Sequence, residues 1–132
     1  MTNVGPDVVT MTDHEAERAA VIADPDLIGA KLCRALSAQT DRWLQDLLAK
    51  AKAQIPRSPK VALLAVGGYG RGELAPFSDL DVLLVHESTA SRVEELASAI
   101  WYPLWNAGLK VGHAVRTLDE QNNLSRNDLY TA

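Results

Sequence analysis

The chain has one cysteine, Cys33, in 132 residues. That excludes an intrachain disulfide and a cysteine-rich zinc site. A reducing, cytosolic setting follows as the expectation. Positive charge is not in excess either. Thirteen Lys and Arg stand against seventeen Asp and Glu, a net charge of −4. A general nucleic-acid binder is expected to carry a basic surface, so none is predicted as a partner. No apolar run approaches the roughly 18–20 residues of a membrane-spanning helix. The opening "MTNVGPDVVTMTDHEAERAA" lacks the basic start and apolar stretch of a secretory leader. Internal repeats and low-complexity tracts are missing too.

What is present is a chain that is 47% apolar, enough for one domain with a modest core. Charge is uneven along it. Residues 1–26 carry Asp7, Asp13, Glu15, Glu17, Asp24 and Asp26 against Arg18 alone. Residues 27–60 carry seven cations against Asp41 and Asp46. This reads as a flexible acidic lead-in over 1–24, with a short helix around 13–21, and then a helix whose basic face is solvated or meets an acidic partner or phosphates. Residues 25–132 form the domain proper.

Asp24 and Pro25 fit a helix start. Ile28, Leu32, Leu36, Leu44, Leu47 and Leu48 recur near helical spacing, with Trp43 on the same face. A long helix is predicted over 25–53, ended by "IPRSPK". "VALLAV" (61–66) reads as a strand buried on both faces. "DLDVLLVH" (79–86) is a second strand and "LKVGHAVRT" (109–117) a third. Between them "SRVEELASAIWYPLWNAG" reads as a helix. Ser91 and Glu94 have capping-box spacing, Pro103 kinks or shortens the helix, and Gly108 stands just past its end. The pattern is α+β: a small mixed sheet with helices packed on it.

Chemistry concentrates in "VGGYGRGELAPFSDLDVLLV", residues 66–85. Asp79 and Asp81 are two apart, so on a strand they share a face, ~6.5–7 Å apart along the backbone. Such a pair repels unless something positive lies between. Magnesium meets that need, because it prefers carboxylate oxygens together with substrate phosphates. Gly67 and Gly68 make a turn whose bare N–H groups suit an anion, and Arg71 is a fork for a phosphate.

This stretch resembles the signature of the DNA polymerase β-like nucleotidyltransferase superfamily, a small-residue turn followed by an Asp-x-Asp strand. With "LWNAGLKVGHAVRTLDE" after it, the chain resembles the N-terminal part of the bacterial bifunctional PII uridylyltransferase/uridylyl-removing enzymes over residues 25–132. The resemblance implies a polymerase β-like core and Mg2+-dependent two-metal transfer of UMP from UTP to a tyrosine of the regulatory protein PII, in the cytoplasm. It implies Asp79 and Asp81 as catalytic metal ligands and Gly67 and Gly68 at the triphosphate. Ser78 is placed near the phosphates or as a turn former, with the turn favoured. The alternatives are the same fold with another acceptor, or a truncated fragment that only binds nucleotide.

The family's third carboxylate has no counterpart on the third strand. Asp119 and Glu120 lie just beyond it, and either is equally readable as a surface acid. His-Asp, the mark of the family's hydrolase module, is absent from the sequence, so the chain reads as an N-terminal piece. His113 and Arg116, three apart, belong on opposite strand faces. His14 and His86 read as isolated surface residues, and Cys33 as a packing residue.

Overall fold

A computed structural model describes residues 12–87 and 92–122. Helix α1 (Asp13–Ala23) opens where the Thr12 hydroxyl accepts the Glu15 N–H at 3.1 Å. Asp13 and Glu15 in its first turn suit the positive end of the helix dipole. It closes at Asp24, whose N–H goes back to the Val21 carbonyl and whose Oδ1 accepts the Asp26 N–H at 2.9 Å.

That turn corrects the predicted start of the long helix. Asp24 ends α1 instead of capping a helix at Pro25. Helix α2 (Ala30–Gln54) begins only after Gly29, which adopts φ 57°. Ile28, expected on the apolar face, is 73% exposed in this connection.

α1 lies along α2. Gln39 Nε2 donates to the His14 carbonyl at 3.0 Å, Arg42 pairs with Glu17, and the His14 ring stacks on Trp43 with centroids 5.9 Å apart. His14 also bonds Asp46. It is therefore a packing residue between two helices rather than an isolated surface histidine.

Among the described residues, three strands form one mixed sheet in the order β1-β2-β3: β1 (Val61–Ala65), β2 (Leu80–His86) and β3 (Val111–Thr117). β1 runs antiparallel to β2, with Leu63 opposite Leu84. β3 runs parallel to β2, with Val111 opposite Leu80. Helix α4 (Val93–Asn106) makes the crossover; α3 is the short turn Gly67–Gly70 after β1. Leu80, Val82 and Leu84 of the central strand join Leu36 and Trp43 of α2, and Leu96, Ile100 and Leu104 of α4, in one core. Each such side chain taken out of water stabilises the fold by about 1.5–3 kcal/mol.

β1 differs from its prediction. It is an edge strand, and Leu64 is 40% exposed, because only one face, with Val61 and Leu63, packs against the core. Asp79 stands one residue before β2 rather than on it. α4 continues through Pro103 to Asn106, so the proline does not end it. It stops at Gly108, at φ 86°, where the Gly108 and Leu109 N–H groups return to the Trp105 and Leu104 carbonyls. Arg92, at φ 61°, occupies the N-cap, and Ser91 of the expected capping box lies outside the described residues.

Candidate active site

β1 leads through Val66 into α3, and the Val66 N–H bonds the Asp81 carbonyl at 3.1 Å. Gly67 takes φ 60°, which an L side chain resists. Gly70 passes so close to β1 that a Cβ there would stand 2.7 Å from the Ala65 carbonyl oxygen. Tyr69 is buried beneath this turn and its hydroxyl donates to Asp41 of α2. Burial first, then the acceptor and charge of Asp41, hold the phenol far above its ordinary pKa. The turn is thus bolted to α2 by a neutral tyrosine, and Leu74 buries the next part of the loop.

The Asp81 side chain emerges on the face opposite Leu80 and Val82 and enters a slot between two glycines. A Cβ built on Gly67 would lie 2.8 Å from Asp81 Oδ2, and one built on Gly112 would lie 2.3 Å from Oδ1. Gly112 is the register partner of Asp81 across the parallel ladder. Sequence reasoning missed Gly112. A lone glycine inside the apolar pattern "LKVGHAV" was its signal, since glycine within a strand marks close approach by another group.

The other expected residues fall as follows. Asp79 is exposed, directly ahead of β2. Arg71 is exposed and pairs with Glu73 at 3.2 Å, the far end of its side chain near Gly68. The Ser78 hydroxyl accepts from the Ala75 N–H and donates to the Ala75 carbonyl, both at 2.9 Å, so it closes a turn. The N–H groups of Gly67 and Gly68 make no backbone hydrogen bond among the described residues.

β3 separates the remaining candidates. His113 packs on Trp101 and Trp105 of α4, with ring centroids 5.3 and 5.1 Å away. Arg116 lines the other face, in a cavity of about 320 Å3 with Val66, Leu83 and Gly112. Glu120 accepts from the Thr117 hydroxyl at 3.0 Å while its N–H returns to Thr117 Oγ1 at 3.1 Å, a reciprocal cap at a helix start. Its carboxylate is thereby engaged away from Asp81.

Neither Asp79 nor Asp81 pairs with a cationic side chain among the described residues. Two carboxylates without a cation, beside a turn with free N–H groups, suit a divalent ion that shares its coordination with phosphate oxygens. No group of three or more His, Cys, Asp or Glu side chains gathers as a protein-only metal site among the described residues.

Residues 45–129 match the nucleotidyltransferase domain family. The chain belongs to that family. As a nucleotidyltransferase domain it is 38% identical over 117 residues to the bifunctional uridylyltransferase/uridylyl-removing enzyme of Streptomyces coelicolor, covering 88% of this chain and 14% of that protein. It is 44% identical over 108 residues to the enzyme of the same name from Phenylobacterium zucineum, covering 76% of this chain and 11% of that protein. The domain therefore spans a small part of the curated relatives it matches. No solved structure matches it. No helix among its described residues is long and apolar enough to cross a membrane.

Proposed function

We propose that this domain transfers UMP from UTP to a tyrosine hydroxyl of the regulatory protein PII and releases pyrophosphate. The observation that carries the reading is the Asp81 carboxylate slotted between Gly67 and Gly112, with Asp79 two residues away at the mouth of the same strand. The names of its relatives, uridylyltransferase/uridylyl-removing enzymes, support UMP as the group moved.

The acceptor's phenolic oxygen attacks the α-phosphorus of UTP. A new P–O bond forms, the α–β bridging P–O bond breaks, pyrophosphate leaves, and the phenolic proton passes to solvent. Mg2+ held by Asp79 and Asp81 would supply positive charge to the phosphate oxygens as they gain negative charge. The bare backbone of Gly67 and Gly68 lets the triphosphate approach and offers it N–H donors. Arg71 exchanges Glu73 for a phosphate oxygen. Ser78 fixes the turn that delivers Asp79. Tyr69 holds the glycine turn against α2, so the donors are in position before UTP arrives.

The test is incubation with labelled UTP, magnesium and purified PII, with ATP and a PII variant lacking the acceptor tyrosine in parallel. Label should pass to PII from UTP and vanish with the tyrosine variant. Equal labelling from ATP, or labelling that survives loss of the tyrosine, would overturn the assignment.

A further inference from the structure

Phe77 is 97% exposed, beside a groove that the proposed transfer chemistry does not use. The groove holds about 340 Å3 between α1 and the loop before β2, lined by Arg18, Ile22, Pro76, Phe77, Gly108 and Lys110, among others. The fold does not need the ring there. Ser78 closes the turn and Leu74 anchors the loop.

Arg18 ties α1 to this loop, with Nη2 donating to the Pro76 carbonyl at 3.0 Å. Its other terminal nitrogen, Nη1, is buried with no hydrogen-bond partner among the described residues. That nitrogen is closed to solvent, so an occupant meets Arg18 where it lines the groove, and a carboxylate is the best-matched partner of a guanidinium. Lys110 also lines the groove, is exposed, and makes no ion pair among the described residues. Among the described residues no carboxylate lines the groove. Two cations and an apolar floor on a chain of net charge −4 invert the local sign and favour an acidic occupant.

Position selects which occupant. Ser78 lines the groove and immediately precedes Asp79, and the Leu80 N–H bonds the Lys110 carbonyl at 2.8 Å. Whatever sits in the groove is therefore next to the transfer site. Phe and Arg are also both enriched at protein–protein interfaces relative to the rest of a protein surface.

We propose that this groove docks the acceptor protein, through an acidic side chain on Arg18 and Lys110 and a neighbouring apolar side chain against Phe77. The inference rests on the protein-acceptor reading above. Docking here leaves the glycine turn free for UTP.

Phe77→Ala and Lys110→Glu change exposed side chains, so both variants should melt within a few degrees of the parent. Steady-state transfer from UTP to PII would be measured with each substrate varied in turn, with UTP affinity measured separately by calorimetry. The KM for PII should rise about tenfold or more in each variant, while the KM and Kd for UTP stay within about twofold. Added salt should raise the parent's KM for PII and affect the Lys110→Glu variant less. An unchanged KM for PII in both variants would overturn the docking site and leave the transferase assignment standing. A matching loss of UTP affinity would give the groove to the nucleotide and overturn it as well. If the unsubstituted chain labels no PII, the assignment and the docking site fall together.

Discussion

Gly112 faces Asp81 across the β2–β3 ladder, and a Cβ at position 112 would come within 2.3 Å of Asp81 Oδ1. The strand pair thus leaves one side chain out so that one carboxylate can lie flat against the sheet. The Gly67 turn closes the other side of the slot, with 2.8 Å for the same hypothetical atom.

Gly112→Ala should therefore injure the site more than the fold. Gly112 has no left-handed backbone to protect, so alanine costs little there. The short Asp81 side chain must turn away, and a group displaced by about 1 Å can cost a hundredfold in rate. Transfer should fall at least tenfold with a melting temperature within a few degrees of the parent. Gly67→Ala adds a left-handed strain of about 1–2 kcal/mol and should lower both transfer and melting temperature. Circular dichroism melts beside transfer rates decide the matter, and full activity in the Gly112→Ala variant would refute the slot.

Tyr69 gives a pH signature. Its folded pKa is raised above the ordinary value of 10, by burial and then by Asp41. Below pH 10 both folded and unfolded chains hold the proton, and this stabilising contribution is complete. As pH rises past 10, the unfolded chain loses the proton while the folded one keeps it, so stability falls. Tyr69→Phe should flatten this alkaline loss. At neutral pH it should cost about 1–3 kcal/mol, because Asp41 loses a donor. Urea midpoints at pH 7 and above pH 10 for both proteins measure the two effects. A parent and variant that lose stability in parallel above pH 10 would remove Tyr69 as the cause.

The helices of the core were legible because Leu36, Leu44, Leu96, Ile100 and Leu104 repeat with helical period and all are buried. The start of α2 was not, because Asp24 and Pro25 suit a turn as well as a helix start, and the left-handed Gly29 decides between them. A run of consecutive apolar residues does not tell an edge strand from a central one, so "VALLAV" by itself does not reveal that β1 buries only one face. Asp81 and the glycine turn were legible as a local motif. Gly112 comes from 31 residues further on, and only the parallel pairing of β3 brings it to Asp81. Ser78 shows its role only through its two bonds to Ala75.

UTP and magnesium should stabilise the chain together and not singly. The glycine turn offers donors to phosphates, while Asp79 and Asp81 have no cationic partner among the described residues. Each ligand completes the site for the other, so their stabilisations should exceed the sum of the separate ones. Thermal melts with UTP, magnesium, both, and UTP with EDTA make the comparison. An equal shift with UTP in EDTA would show that the nucleotide binds without the carboxylates.

Asp79→Asn and Asp81→Asn test the centre of the assignment. Each keeps the size of the side chain and removes one negative charge. The fold should persist in both, because Asp79 is exposed and Asp81 fits its slot by shape, which an amide shares. Without metal, the variants should be as stable as the parent or slightly more so, with one fewer like charge at the strand start. Transfer should fall steeply. Each carboxylate is proposed to hold positive charge against the triphosphate, and loss of one preorganised electrostatic contact costs on the order of a hundredfold, about 3 kcal/mol. Asp81 should be the more sensitive, since the slot allows it one orientation, whereas exposed Asp79 leaves room for water to substitute. The rates must be compared at saturating magnesium and UTP, so that weakened binding is not mistaken for slowed chemistry. If both variants transferred UMP within a few-fold of the parent, the two aspartates would be surface acids on an ordinary strand, and the slot would have to serve something other than phosphoryl chemistry.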